Sequence, residues 1–282
     1  MTILSTIRAD IRVRLIETSA EYYTDAELLT YINYACREFA RKTEWVERVK
    51  AYPLVANQFD YSLPSDVLKV SGLWWQDQYK IEQDDLEEFY YRVGAGFPAS
   101  GVPPKAYRLF PHGLSFRLHP RPATASAAST LTGTHNTSVT TLNVTDTTSF
   151  PNSGYAIING SEQVKYYAKT ATTLLQVIRG DGGTTAASYI ANDPISAAPL
   201  LVYHTYLPAD LSADGDSLAN PRQYDSAIAE YALGLALQKS GKDASKYHLS
   251  RAEASFKEAL GEREKMQRDK LFAFKDPYFD GI

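Results

Sequence analysis

The chain has 282 residues, 44% of them apolar, which is enough to bury a substantial core in one large domain or two smaller ones. Its formal net charge of -4 argues against a dedicated nucleic-acid-binding surface, which would be basic. The single cysteine, Cys36, excludes an intramolecular disulfide. Because no apolar stretch is long enough to span a bilayer and the N-terminus is unlike a signal peptide, we expect a soluble protein.

Two amphipathic helices are predicted at the beginning of the chain. Apolar residues recur every four positions from Ile3 to Leu15, which predicts a helix over residues 2–17. The stretch YTDAELLTYINYACREFARKT predicts a second helix, because Thr24 and Glu27 form a capping box at its start. An apolar stripe of this width is most often the packed face of a helical bundle, although a cofactor or a partner could also cover it.

Short alternating segments follow and predict strands. VKAYPLVANQFDYSLPSDVLKVSGLWW predicts a β-hairpin followed by another strand, and strand character continues through QYKIEQ. DDLEEFYYRV predicts one short helix capped by Asp84 or Asp85. AYRLFPHGLSFRLHPRP predicts a second hairpin, whose turn is supplied by residues 111–113.

The composition changes abruptly near Ala123. From there to about Ala198 the chain is rich in Thr, Ser, Ala, Gly and Asn, and it contains several short β-type segments separated by turn signals. We therefore predict a small all-β domain, residues 124–197, inserted between two strands of a body formed by residues 1–123 and 198–282.

The last third of the chain is predicted to be helical again. Asn220 and Pro221 indicate a helix start, Gly241 indicates its end, and Asp243 opens another helix. Two helices from each end of the chain can bury their apolar stripes together. The predicted fold class is thus α+β, mainly a four-helix bundle with a small antiparallel β region and an inserted all-β module.

No catalytic or metal-binding pattern is apparent. The five histidines lack helical i, i+3 or i+4 pairing, and the glycine-rich segments lack the spacing of a phosphate-binding loop. The Arg179-Gly180-Asp181 tripeptide is better explained as a turn after a strand than as an adhesion motif. We expect no enzyme activity, no cofactor and no metal.

The C-terminal stretch KLFAFKDPYFDGI is unusually aromatic and contains Pro277 and Gly281, so its end cannot extend a helix. This extended tail, residues 269–282, either folds back over its own bundle or anchors another protein, since aromatic side chains dominate interface hot spots.

Four stretches, taken in order, resemble the head-to-tail adaptor (connector) proteins of tailed bacteriophages, especially those of short-tailed phages. They are IRADIRVRL…TDAELLTYINYACREFARKT, FDYSLPSDVLKVSGLWW, LSFRLHPRP…PLLVYHTYLPADL and NPRQYDSAIAEYALGLAL. LNVTDTTSFPNSGYAIINGSEQVKYYA and VIRGDGGTTAASY resemble small β-modules of phage tail proteins. Many family members lack such an insert and join the flanking strands directly.

The resemblance implies a virion structural protein. Such adaptors form a ring, typically of twelve copies, between the portal and the tail nozzle or fibres, and they line the channel through which DNA leaves. It places the protein in the virion tail or neck, assembled in the host cytoplasm. The same role suggests portal-binding residues, Leu271, Phe272, Phe274, Tyr278 and Phe279, and inter-subunit residues, Tyr31, Tyr34, Arg37 and Arg41. The alternative is a glycan-binding or tail-fibre-associated module that acts through the β insert.

Overall fold

The computed structural model describes residues 2–17, 22–85, 87–89, 91, 103–110 and 114–273, with side chains up to Met266. The chain divides into two compact units. One is formed by residues 1–47 and 205–282, and the other by residues 48–204. The long helices belong to the first unit and the sheets to the second.

Four helices form the first unit: α1 (Leu4–Leu15), α2 (Asp25–Thr43), α3 (Asp225–Lys239) and α4 (Ala244–Ala273). The predicted capping box is confirmed at the start of α2, where the Thr24 hydroxyl accepts a hydrogen bond from the Glu27 backbone N–H at 3.2 Å. A 3-10 turn, Arg222–Tyr224, precedes α3, so this helix begins later than the Asn-Pro signal predicted. Gly241, with a φ of 68°, follows its end.

The four helices share one hydrophobic core, to which each contributes its apolar stripe. Its fully buried members include Leu28, Ile32, Phe39, Ile228 and Phe256. Cys36 packs against the same core, and burial raises the pKa of its thiol to about 12. This cysteine is therefore a small packing residue of the helical unit.

The second unit contains a seven-stranded sheet. Its strands are β1 (Glu47–Tyr52), β2 (Asp60–Ser62), β3 (Val67–Trp75), β4 (Tyr79–Gln83), β5 (Ala106–Leu109), β6 (Ser115–His119) and β15 (Leu200–Tyr206). Their spatial order is β1-β15-β3-β4-β5-β6-β2. The hairpin of β5 and β6 is confirmed, while its predicted turn, residues 111–113, lies outside the described residues.

Two smaller sheets are built from the Thr-rich segment. Strands β7 (Ala128–Thr130), β9 (Gly154–Ile158), β10 (Glu162–Tyr166), β13 (Ile178–Asp181) and β14 (Pro194–Ala197) form a five-stranded sheet. Strands β8 (Thr141–Asn143), β11 (Ala168–Lys169) and β12 (Thr173–Leu175) form a three-stranded one. Thirteen buried residues of this segment make a core of their own, among them Phe150, Val164 and Tyr166.

The two ends of the Thr-rich segment lie side by side. Strand β7 pairs with β14, and the backbone N–H of Ala197 donates to the carbonyl of Ala127 at 2.8 Å. A small apolar cluster that includes Ala51, Ile157 and Leu201 joins this segment to strands β1 and β15 within the second unit. The chain therefore enters and leaves the segment at one place, which is the geometry that an insertion requires.

The predicted fold class is wrong in its balance. The described part of the chain contains 15 strands in three sheets and is 31% helical, so the protein is mostly β rather than mainly a four-helix bundle. The error has a physical origin. A helix can be predicted from apolar residues that recur every three or four positions over a long stretch. These strands are only two to nine residues long and are stabilised by partners distant in sequence.

The predicted first hairpin is also wrong. Strands β1 and β2 follow one another in the chain, yet β1 lies beside β15 and β2 pairs with β6 at the opposite edge of the sheet. The hairpin in this region is formed instead by β3 and β4. Alternation of apolar residues identifies a strand but carries no information about its neighbour.

Candidate interaction surfaces

The outer face of α2 carries the residues expected to contact a second copy. Tyr34 is 42% exposed, and its ring stacks on Tyr231 at 6.2 Å. Arg41 is exposed as well, and its guanidinium lies 3.1 Å from the Glu38 carboxylate on the same helix. These two side chains are available to a partner, since an exposed intrahelical ion pair costs little to rearrange.

The other two predicted inter-subunit residues, Tyr31 and Arg37, make contacts within the chain. Tyr31 is partly buried against the helical core. Arg37 donates to the Asp210 carboxylate at 2.5 Å, which ties α2 to the segment that precedes α3. The structure thus separates the four predicted residues into an exposed pair and a pair with internal packing roles.

A second exposed region of the helical unit lies at the end of α1 and was not predicted. Val13 and Ile16 are 72% and 94% exposed, and Tyr22, six residues after Ile16, is 53% exposed. The Lys239 ammonium lies 4.9 Å from the centre of the Tyr22 ring. Exposed apolar side chains mark a binding surface when they lie close together, and Val13 and Ile16 are three positions apart at the end of one helix. The four-residue repeat emphasised Ile7 and Ile11, which are buried, and gave no signal for Val13 or Ile16.

The predicted portal-binding residues fall largely beyond what the structure describes. Leu271 and Phe272 belong to helix α4, but their side chains are outside the described residues. Phe274, Tyr278 and Phe279 lie outside the described residues altogether.

The helix that leads to this tail is anchored by a buried arginine. Arg263 of α4 is 6% exposed, and its guanidinium donates to Glu44 at 2.7 Å and to Glu47 at 2.8 Å. One turn earlier, the Trp45 indole N–H donates to the carbonyl of Ala259 at 2.7 Å. Contacts of this kind hold α4 around Ala259 and Arg263 against residues 44–47.

Arginine and phenylalanine side chains alternate along one edge of the seven-stranded sheet. Arg117 lies 5.2 Å from the Phe110 ring centre, and Arg121 lies 5.4 Å from the centre of Phe59. Arg117 also makes two 2.7 Å hydrogen bonds to the Asp60 carboxylate. Arginine and aromatic side chains are enriched at the centres of protein interfaces, so this edge is a further candidate surface.

A small cleft in the second unit combines aromatic and charged side chains. The Lys165 ammonium lies 5.3 Å from the ring centres of both Tyr155 and Tyr167. Beside it, the Tyr203 hydroxyl donates to the Asp77 carboxylate at 2.6 Å. Burial and this carboxylate both raise the pKa of the Tyr203 hydroxyl. Burial alone would lower the pKa of Lys165, but the neighbouring Tyr155, Tyr167 and Asp77 outweigh it and raise that pKa.

Sequence reasoning missed this cleft because its residues come from separate strands and turns. No local spacing signals the approach of residue 77 to residues 155 and 165.

The residues that the structure describes contain neither a cluster of metal-binding side chains nor a helix that could span a membrane. No group of three or more His, Cys, Asp or Glu residues there is arranged to hold a metal ion. Among the same residues, no helix combines the length and the apolar character that a membrane span requires.

Comparison with protein families identifies a relationship that the fold alone does not. No curated protein matches the chain. A family model described as SU10 adaptor protein matches residues 1–169, which is more than half of the 282 residues. The matched range begins before α1 and ends at the last residue of β11, inside the Thr-rich segment.

Proposed function

The chain belongs to the SU10 adaptor protein family, a family of phage head-to-tail adaptors, and from this membership we propose that its copies form a ring between portal and tail. Adaptors of this family are structural components of the virion neck, with portal and tail proteins as partners in general. In the proposed assembly the ring holds twelve copies, carries the tail nozzle and fibres, and lines the channel through which DNA is ejected. The Thr-rich segment faces outward, toward nozzle or fibre proteins.

The family match over residues 1–169 is the observation that carries this proposal. The exposed side chains of the helical unit support it, because a ring subunit needs two surfaces that bind neighbouring copies. Tyr34 and Arg41 of α2 supply one candidate surface, and Val13, Ile16 and Tyr22 supply another.

Native mass measurements on mixtures with the portal ring of the same phage test the ring. We expect the chain to shift into one large complex that contains about one copy per portal subunit. Two separate species at every salt concentration would refute the proposal.

A double substitution, Tyr34→Ser with Arg41→Glu, tests the ring contact itself. Because both side chains are exposed, the helical unit should fold normally while ring formation is lost. Tyr247→Ser, which removes a 62% exposed tyrosine from α4, is the matched control and should assemble normally. Equal assembly of both variants would exclude Tyr34 and Arg41 from the contact.

We also propose that the aromatic tail anchors the ring to the portal. Deletion of residues 271–282 should abolish portal binding and leave the far-ultraviolet circular dichroism of the helices nearly unchanged, because it removes only the last three residues of α4. Replacing Phe272, Phe274, Tyr278 and Phe279 by serine should have the same effect, since aromatic anchors dominate interface energies. The matched control changes the charged residues of the same segment, Lys275→Ala and Asp276→Ala, and should still bind. Full binding by the tail deletion would contradict the anchor.

The proposed role is purely structural and involves no enzyme activity. Reproducible hydrolytic turnover by the purified chain, abolished by a single substitution at His204 or Asp210, would contradict this part of the proposal.

A further inference from the structure

A cleft of about 220 Å³ lies within the second unit, where the turn between β3 and β4 meets strands β9 and β10. Its polar and aromatic lining includes Gln76, Asp77, Ser153, Tyr155, Lys165 and Tyr167. Pockets that bind drug-sized molecules usually measure about 300 to 1,000 Å³. The cleft is therefore suited to a compact ligand of about one ring.

The two charged groups of the cleft are held by neighbouring tyrosines. The Asp77 carboxylate accepts a hydrogen bond from the Tyr203 hydroxyl at 2.6 Å. The Lys165 ammonium lies against the rings of Tyr155 and Tyr167, 5.3 Å from the centre of each. Side chains that are positioned before a ligand arrives lose little conformational freedom on binding. The cleft is thus organised in the absence of a ligand.

Asp77 is supplied by the hairpin turn that joins β3 to β4. Gln76 and Asp77 are both left-handed, with φ values of 50° and 59°, although neither is glycine. The Gln76 backbone N–H donates to the carbonyl of Pro199 at 2.7 Å, which holds the turn against the start of β15. Positive φ at both central residues is the geometry of a primed hairpin turn, here closed by the Gln78 backbone N–H, which donates to the carbonyl of Trp75 at 2.9 Å. The turn therefore fixes the position of Asp77 at the mouth of the cleft.

The chemistry of the lining selects a class of ligand. A carboxylate only accepts hydrogen bonds and an ammonium only donates them, whereas a hydroxyl does both. Neighbouring hydroxyls of one ligand can therefore donate to Asp77 and accept from Lys165. The two charges cancel, so the pair offers no net attraction to a simple anion or cation.

The exposed ring of Tyr167 adds an apolar surface beside these charges. Tyr167 is 49% exposed, while Tyr155 beneath Lys165 is buried. A pyranose has a C–H face that can lie on an aromatic ring and a rim of hydroxyls that can reach charged groups. A zwitterionic amino acid would also match the two charges, but desolvating both of its ionised ends costs more than desolvating neutral hydroxyls.

We propose that this cleft binds one neutral pyranose unit of a polysaccharide, with Tyr167 beneath the sugar ring and Asp77 and Lys165 hydrogen-bonded to its hydroxyls. The site gives the second unit a binding activity that is independent of ring formation, with Asp77 supplied by the turn between β3 and β4, and Lys165 and Tyr167 supplied by the Thr-rich segment. A single pyranose is a small neutral ligand, so we expect a Kd of about 1 mM or weaker. Useful retention on a surface then comes from many copies acting together.

Saturation-transfer-difference NMR on the full chain tests the site. The probes are the methyl glycosides of glucose, galactose and N-acetylglucosamine, each at a concentration near its expected Kd. At least one should receive saturation, strongest at the ring protons that face Tyr167. Glycine and inorganic phosphate, measured in the same way through competition, should not displace it.

Four variants assign the binding to this cleft. Tyr167→Ala should weaken it about 2- to 10-fold, while Tyr167→Phe should retain it, because the ring face is what the sugar contacts. Asp77→Asn keeps an acceptor for Tyr203 and should weaken binding by removing one acceptor from the cleft. Tyr247→Ala removes a 62% exposed tyrosine from α4 and should bind as the unchanged chain does.

Three results would overturn the proposal. They are the absence of saturation transfer to all three glycosides, an equal loss with Tyr167→Ala and Tyr247→Ala, and displacement of the sugar by glycine or phosphate. Because none of these measurements requires the portal or a ring, failure here is distinct from failure of the adaptor assembly.

Discussion

Glu162 is a charged residue with a fully buried side chain, and its hydrogen bonds hold the loop that follows β13. Arg179 donates to its two oxygens at 2.7 and 2.8 Å, and the backbone N–H groups of Gly180 and Ala187 complete the set. Asp181 accepts from Gln163 at 2.9 Å. The Arg-Gly-Asp tripeptide therefore ends a strand and uses both charged side chains within the chain, which is a structural role.

The substitution Glu162→Gln tests how much the buried ion pair of Glu162 and Arg179 contributes to stability. It leaves the Arg179 guanidinium buried without its counter-charge, so we expect the free energy of unfolding to fall by about 3 to 5 kcal/mol in urea titrations. Asp210→Asn, which removes the exposed partner of Arg37, serves as the matched control and should cost less than about 1 kcal/mol. Similar losses for both variants would mean that the burial of Glu162 adds nothing.

The same carboxylate predicts a pH dependence. Burial would raise the pKa of Glu162, but hydrogen bonds from Arg179, Ala187 and Gly180 outweigh it and lower that pKa. A lowered pKa contributes stability above the unfolded-state value, about 4.3, and this stability is lost as the pH falls through the folded-state value. The difference in unfolding free energy between the unchanged chain and Glu162→Gln should be constant above about pH 5 and shrink below about pH 4. A difference that is independent of pH would contradict this assignment.

At the scale of single elements, helices α3 and α4 approach one another closely at Gly234. A methyl group added there would come within 2.7 Å of Leu249 Cγ and 3.1 Å of the Leu249 backbone nitrogen. Gly261 of α4 has no atom within 4 Å of the same position. The two glycines therefore differ in purpose, one allowing a helix contact and the other lying in open space.

Alanine substitutions separate these two purposes. Gly234→Ala gains about 1 kcal/mol of helix propensity but crowds Leu249, and overpacking of this kind costs about 1 to 3 kcal/mol. We expect its melting temperature to fall. Gly261→Ala should increase the free energy of unfolding by about 0.5 to 1 kcal/mol, because the added methyl group meets no neighbouring atom. Its melting temperature should therefore rise. A rise in both variants would show that the helices move apart at no cost.

Element boundaries show where local signals are sufficient. The start of α2 was predicted to the residue, because the capping box is made by side chains three positions apart. The start of α3 was not, because a 3-10 turn intervenes after Pro221. Strands β1 and β2 were recognised as strands but assigned to each other, since their true neighbours, β15 and β6, lie far along the chain.

At the scale of the whole molecule, the Thr-rich segment has both a core and a boundary of its own. Its thirteen buried residues form one cluster, while the residues buried by the seven-stranded sheet form another. Its outer strands β7 and β14 pair with each other. The insertion of residues 124–197 remains a prediction, and these contacts support it.

Expression of residues 124–197 alone tests the inserted domain. Because the segment carries its own core and its ends are joined by strand pairing, we expect a dispersed amide NMR spectrum and cooperative unfolding. Its stability should be lower than in the full chain, since Gln163 loses its hydrogen bonds to the backbone of Val49 and Ala51. A collapsed, undispersed spectrum would show that the segment depends on the rest of the second unit.

The candidate surfaces were only partly predictable for the same reason. Tyr34 and Arg41 were expected on the outer face of α2, and they are exposed, because helical periodicity determines which face a residue occupies. The inward contact of Arg37 with Asp210 joins positions 173 residues apart. The cleft around Lys165 likewise assembles side chains from separate strands and turns, and no pattern in the chain signals that arrangement.

The sequence by itself determined the helices at both ends, the strand segments and the hairpin of β5 and β6, together with membership of a phage adaptor family. These features depend on periodicity, caps and turns, which act over a few residues. The tertiary structure alone decided the strand order, the predominance of β structure, and the placement of Asp77 beside Tyr203 and Lys165. The physical reason is that a strand gains its hydrogen bonds from another segment, so its neighbour is chosen by the packing of the whole chain.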